Sequence, residues 1–429
     1  ELAPGGAYYA KKDIFSMLNY GKDTIIISTY EGLTLYTPST GESKNFKSIN
    51  PLTNSFFEKT PIYSGCKIGN DLFAYGTLGG GLFIMDKDGE IVNHINKNSG
   101  LQNERISQVF LLNDNSGILW LTTEQGITSI NLSSPVRQFV SQQGLEETVY
   151  AINKHENQIH IATTNGVSQM KIAKAKETKF VPIKGITSEN TTSLLNFEIE
   201  NKSIQIAGTI KDIYEIKGNK AKPLNIGTET YKLMQSKVAP EKLYAATSRG
   251  IRVIRYKNKK FIADENYIGL PKQLVTQLEE DNYGNIWSTT LSERQLIDKN
   301  GNLLELPEPV KSQNGFFFKL KNTIYYATEK QVFELNGKTK AFEEHQWLTN
   351  KYQKSGKIIK KVIALNEKTA LVHFSHNHKL ASDLIYLEQE NWHADSTVLK
   401  IIPSMTVNTA MCDQHKIYIG GSEGLFVAN

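Results

Sequence analysis

Short apolar runs recur along this chain in pairs, each pair divided by a tight polar turn. The clearest pair begins at Gly117: GILWLTTEQGITSIN sets a β-rich run ending in two threonines, a Glu-Gln-Gly turn and a second β-rich run. Weaker copies read TIIISTYEGLTLYTP from Thr24, DLFAYGTLGGGLFIMD from Asp71, QIHIATTNGVSQMKI from Gln158, KLYAATSRGIRVIRY from Lys242, NIWSTTLSERQLID from Asn285 and KIYIGGSEGLFVAN from Lys416. More degenerate copies begin at Ser203 and Thr323, and a distorted one lies near Thr369. A β-rich unit recurring every roughly 40 to 47 residues cannot bury both of its faces alone, so neighbouring units must stack as a propeller or a related array.

The unit around Gly117 predicts four strands. Ile106 to Leu112 is an apolar strand, and the Asn-Asp-Asn-Ser-Gly segment 113–117 supplies turn residues that tolerate positive φ. Ile118 to Thr122, with Trp120 at its centre, and Ile127 to Asn131 form a hairpin around Glu124 to Gly126. A more polar fourth strand near Arg137 to Val140 suits an outer edge. The second and third strands are apolar on both faces, as in sheets sandwiched between sheets. The fold class expected is therefore all-β: a β-propeller of four-stranded antiparallel blades, about ten units over residues 1–429.

The ends bear on closure. The last unit offers an inner strand in Thr406 to Cys412, then KIYIGG and GLFVAN, with no outer strand following, whereas AYYA at Ala7 to Ala10 precedes the first inner strand, Ile14 to Leu18. A ring in which residues 7–10 complete the last blade would satisfy both ends. About ten units exceed the usual four to eight blades. One large ring is favoured; two smaller rings, with a crossover near Lys351 to Lys361, and a seven-bladed ring remain alternatives.

Composition changes this picture little. The 429 residues carry a net charge of +5 with no Pro-rich or Ser/Gly-rich seam, and KNKK after Tyr256 is the densest basic run, suiting an outer edge. No basic stripe interleaved with aromatics points to nucleic acid. The two cysteines, Cys66 and Cys412, exclude a disulfide scaffold. No apolar run reaches the roughly 18 residues of a membrane helix.

The units GLQNERISQVFLLNDNSGILWLTTEQGITSIN and GLPKQLVTQLEEDNYGNIWSTT resemble the two-component regulator propeller repeat. Gly100, Leu101, Asp114, Gly117, Leu119, Trp120, Thr122, Gly126 and Ile127 fit its order of Gly-Leu lead-in, inner strand, Asp/Asn-Gly turn and paired strands. So do Gly269, Leu270, Pro271, Asp281, Gly284, Ile286, Trp287 and Thr289. The resemblance spans almost the whole chain but is strong only in these two units. It implies the extracytoplasmic sensor region of a hybrid two-component system of the Bacteroidetes type, in the periplasm or at the cell surface. Family sensors carry more repeats, in two rings, followed by a Tyr-rich sandwich absent from this sequence.

Catalytic signatures are missing. The chain has no GxSxG elbow, HExxH, Walker-type loop or Rossmann fingerprint, so no cofactor is expected and no enzyme is predicted. Gly79 to Gly81 suits a tight turn rather than a phosphate cradle. His373, His376 and His378 could share a strand face, yet solvated histidines are the expected state. Glu279, Glu280 and Asp281 are expected in a solvated turn, and Trp120 and Trp287 in the core between blades.

If each unit starts with its inner strand, the turns between second and third strands and the links between units emerge on one face. Those turns carry Tyr30, Glu31, Glu124, Asn165, Arg249, Glu293, Glu329 and Glu423, and the links carry Asn103 and Arg105, with Glu146, Glu147, Lys272 and Gln273. These ten residues, from Tyr30 to Glu423 and including Asn103 and Arg105, are the candidate ligand-binding set, because convergent amides, carboxylates and guanidinium groups specify a polyhydroxylated or charged ligand. The expected partner is an oligosaccharide or similar extracellular solute, with no metal, no nucleic acid and no membrane insertion. A protein scaffold in envelope assembly or secretion is the alternative, and a propeller lyase or hydrolase a third.

Overall fold

The computed structural model describes residues 3–112, 117–139, 144–145, 148–172, 178–187, 189–397 and 399–428. The pairs of apolar runs fold as antiparallel hairpins, and the described residues hold ten sheets, nine of four strands and one of three. Among the described residues two short α-helices, Pro51–Lys59 and Gln346–Lys351, lie in links between sheets. The chain divides into two compact units, Glu1–Ser134 with Ile172–Lys179, and Pro135–Lys171 with Phe180–Asn429. The division falls at Pro135 rather than in the stretch Lys351 to Lys361 that the two-ring alternative required, where the chain makes an ordinary link into the strand Ile358–Ala364.

Unit 1 contains three sheets whose inner strands, Ile14–Gly21, Ile62–Ile68 and Ile106–Leu111, lie side by side. Ile26, Phe73 and Tyr75 pack between the first and second sheets, and Ala74, Leu82, Leu119 and Leu121 between the second and third. Strand alternation then turns Trp120 to the other side of the third sheet, where it pairs across strands with Phe110. Trp120 is 39% exposed, Phe110 57% and Ile127 73%. The core position expected for Trp120 is thus not observed, because no further sheet of the unit covers that face. Asp114 and its turn lie outside the described residues.

Unit 2 contains seven four-stranded sheets. Their inner strands are Val149–His155, Thr191–Ile199, Lys232–Gln235, Val275–Glu280, Gly315–Leu320, Ile358–Ala364 and Val407–Asp413. Each lies against the next, and the inner strand that meets Val407–Asp413 at the end of the series is Val149–His155. Apolar clusters fill every junction: Ala207 and Tyr214 pack against Val167, Phe317 against Trp287, and Leu425 and Tyr418 against Val149. Burial on both faces is the pattern expected from the sequence, and here Trp287 is a core residue at 4% exposure.

The seventh sheet is completed by Val136–Phe139, which pairs antiparallel with Gly424–Ala428, Val136 opposite Ala428 and Phe139 opposite Leu425. This corrects two expectations. Residues 7–10 do not supply the missing strand: Gly6–Tyr9 is a 3-10 turn entered through Gly5 at φ 70°, and its Tyr9 ring sits edge-on to Tyr36, 5.8 Å away, in unit 1. The segment read as the fourth strand of the Trp120 unit leaves that sheet with three strands and joins the last sheet instead. An amphipathic edge strand fits either partner equally well, so local pattern does not choose between them. Val140 lies outside the described residues.

Candidate ligand-binding site

A threonine at the end of the second strand frames most of the turns between second and third strands. Thr123 Oγ1 donates to the Gly126 carbonyl at 3.2 Å and accepts from the Gln125 amide at 3.3 Å. The same pair of bonds recurs at Thr29, Thr163, Thr209, Thr247 and Thr328, and at Thr290 both bonds are made with the Glu293 backbone. The hydroxyl satisfies backbone groups that the reversing chain leaves unpaired, so the central side chains of the turn are released to solvent. Gly166 shows why the turn ends in glycine: its φ is 112°, and a Cβ there would lie 2.1 Å from the Ile186 carbonyl oxygen.

All ten sequence-selected residues lie on these turns or on links. In unit 1 the structure brings three together: Arg105 Nε meets Glu124 Oε1 at 2.9 Å, and the Arg105 amide donates to Asn103 Oδ1 at 2.8 Å. Tyr30 stands edge-on to Phe15 at 4.6 Å, and Glu31 pairs with Lys12 at 2.7 Å. In unit 2, Asn165, Arg249, Glu293, Glu329 and Glu423 are exposed on five separate turns. Link residues do reach the turns: Gln353 Nε2 donates to the Thr328 carbonyl at 3.1 Å, and Ser248 Oγ meets Glu229. Turns and links therefore do emerge together. Glu146 and Glu147 lie outside the described residues.

Sequence reasoning missed a cavity of about 770 Å³ to which all seven inner strands of unit 2 contribute. Tyr150, Thr192, Lys232, Thr276, Phe316, Lys361 and Asn408 line it, one from each strand. Their signal was a polar or aromatic residue just inside each inner strand, beside a β-bulge in five of the seven, as between Val149 and Ala151. Bulges re-aim side chains in this way. Several of these side chains also tie one inner strand to the next. Asn408 Nδ2 donates to the Val149 carbonyl at 3.1 Å, Lys361 Nζ to the Asn408 carbonyl at 2.6 Å, and Lys232 Nζ to the Leu278 carbonyl and Glu279 Oε1, both at 3.0 Å.

Lysines outnumber carboxylates on this wall: Lys232, Lys237, Lys319, Lys321 and Lys361 face Glu279 and Glu367. Burial, reinforced by the Lys232 charge, holds the Lys361 pKa down to about 8. Burial and the Lys237 charge lower that of Lys319, whose Nζ donates to the Glu280 carbonyl at 2.5 Å. An anion entering the cavity would relieve this mutual repulsion.

Other expected features resolve differently. Glu280 and Asp281 are buried rather than solvated: Glu280 accepts from Ser236 Oγ and the Lys237 amide, both at 2.6 Å, and Asp281 from Trp287 Nε1 at 3.2 Å. His373 is buried with Nδ1 3.0 Å from Ser382 Oγ, while His376 is exposed, and among the described residues no metal-binding group forms. Cys66 and Cys412 are free thiols on inner strands, and burial pushes the Cys66 pKa up to about 11. Among the described residues no helix is long and apolar enough to cross a membrane.

No protein-family model matches the chain, and no curated protein is similar to it. Among solved structures, it is similar to an extracellular domain assigned to the hybrid two-component system BT3049 of B. thetaiotaomicron, with 17% identity and a TM-score of 0.65 over 97% of this chain and 56% of that one. It is also similar to an extracellular domain assigned to the system BT4673 of the same organism, with 17% identity and a TM-score of 0.53 over 97% of this chain and 58% of that one. The chain thus spans a little over half the length of these structures, and at such identity the likeness is one of fold.

Proposed function

We propose that this chain is the ligand-recognition part of an extracellular sensor of the two-component regulator propeller type, and that it binds its ligand without transforming it. In this reading unit 2 is a closed seven-bladed propeller, sealed where Val136–Phe139 completes the last sheet. The observation that carries the proposal is the cavity shared by all seven inner strands, with its lysine excess. The likeness in fold to extracellular domains of two-component systems supports a sensing role outside the cytoplasm. An acidic oligosaccharide suits the site: hydroxyls would engage Asn165, Glu293 and Glu423 at the turns, and acid groups would meet Arg249 and the cavity lysines.

Calorimetric titration with neutral and uronate-containing oligosaccharides of equal length, with product analysis of the mixtures, tests this. The acidic series should bind more tightly and remain intact. Arg249→Ala should weaken an acidic ligand roughly 10- to 100-fold and a neutral one less, because the lost guanidinium leaves acceptors unpaired. Turnover of any sugar would overthrow the reading. A scaffold role is favoured by a different observation, the exposed Phe110, Trp120 and Ile127 on the third sheet of unit 1, since such patches mark protein contacts.

A further inference from the structure

Unit 2 carries a second cleft, of about 620 Å³, between its fifth and sixth sheets. It is built from third and fourth strands and the turns joining them, including Asn336, Gly337, Glu390 and Asn391, together with His345, Gln346 and Trp347 of the link that follows. None of the residues placed in the site above lines it. Two indoles make its floor. Trp347, in the helix Gln346–Lys351, and Trp392, in the strand Asn391–Asp395, stack with centroids 6.2 Å apart and planes 29° apart.

Around the indoles stand four carboxylates, Glu334, Glu343, Glu344 and Glu390, and neither Lys nor Arg lines the cleft. Glu343 accepts from Asn336 Nδ2 at 2.8 Å. Glu344 Oε1 is shielded from solvent and has no hydrogen-bond partner. A carboxylate with one oxygen desolvated and without a donor is costly, so a cation held beside Glu344 would offset its charge. His345 does not neutralise the group, since burial lowers its pKa and its Nδ1 accepts from the Leu348 amide at 3.2 Å. An indole face is already used in this way: the Lys321 ammonium lies 5.5 Å from the Trp392 ring centroid.

We propose that this cleft binds a protonated organic amine, its methylenes on the Trp347 and Trp392 rings and its ammonium donating to Glu344. Indole faces attract cations through the ring quadrupole, and a charge partner behind them strengthens the hold once water is excluded. A neutral sugar would offer donors and stacking surface but no positive charge to set against the excess of carboxylates. The bound amine is either free in solution or the end of a lysine side chain, and the chemistry recognised is the same.

Titration of the whole chain with spermidine, tetramethylammonium and N-acetyl-lysine methylamide, followed by tryptophan fluorescence and calorimetry, tests the proposal. Saturable binding that weakens with salt is expected, with maltotriose inert. Glu344→Gln, close to isosteric, and Trp392→Leu should each weaken spermidine roughly tenfold or more. The exposed Glu390→Gln should weaken it less and serves as the variant least able to disturb folding. Arg249→Ala should leave amine binding unchanged, which separates this site from the one proposed above. Binding of the lysine derivative but not of free amines would identify a side chain as the source, and the reverse a free solute. Absence of saturable amine binding, or binding unaltered in both Glu344→Gln and Trp392→Leu, would overturn the inference.

Discussion

Residues in equivalent places of the repeat meet different fates here. Trp120 and Trp287 occupy the same position in the two clearest units, yet one is wet and the other donates from the core to Asp281, because only the second has a sheet on each side. Two imidazoles are buried: His160 has no hydrogen-bond partner at either ring nitrogen, and His373 Nδ1 lies 3.0 Å from Ser382 Oγ. Burial lowers both pKa values from 6.5 to about 4. Each ring stays neutral in the fold while the unfolded chain takes up a proton near pH 6.5. The stability they contribute is therefore complete above that pH and lost as pH falls toward 4, by roughly 2–3 kcal/mol per histidine at pH 4.5. Denaturant unfolding at pH 7 and 4.5 should show the acid loss reduced by about that amount in His160→Gln and in His373→Gln. Equal losses in wild type and both variants would refute the assignment.

At the scale of elements, the repeat's small-residue ending is explained by the threonine frame, and its closing glycine by positive φ. The sequence displays both. The partner of an edge strand is not displayed, as Val136–Phe139 shows by pairing with Gly424–Ala428 far along the chain. Phe139 also packs edge-on to Phe180 of the first sheet at 5.7 Å, so this strand holds two sheets. Replacing both Arg137 and Gln138 by Pro removes an amide donor on each side of the strand and should lower stability by roughly 3 kcal/mol. Deleting residues 1–13 should affect unit 2 much less. Calorimetric melting of the two variants compares them directly, and an undiminished transition in the double-proline variant would show that the strand does not seal the sheet.

For the whole molecule, the division into two units carries the consequence. The sheets of unit 2 bury both faces against one another, whereas the third sheet of unit 1 leaves Phe110, Trp120 and Ile127 wet. Residues 135–429 expressed alone should therefore give a soluble species with a cooperative transition. Residues 3–134 should self-associate through the uncovered sheet. Sedimentation of the two fragments measures this, and a stable monomer from residues 3–134 would show that the exposed face is tolerated.

The sequence by itself determined the hairpin repeat, the strand type, the polar turns and the side chains those turns display, since each rests on interactions within a few residues: side-chain alternation, turn chemistry and hydroxyl-to-backbone bonds. Only the tertiary structure decided which sheet receives Val136–Phe139, where the units divide, which of two equivalent tryptophans is buried, and which inner-strand lysines face one another across a cavity. It also brought Trp347 to Trp392 from separate sheets. These depend on contacts between segments far apart in the chain, and period-2 patterning assigns a residue to a face without naming what lies opposite.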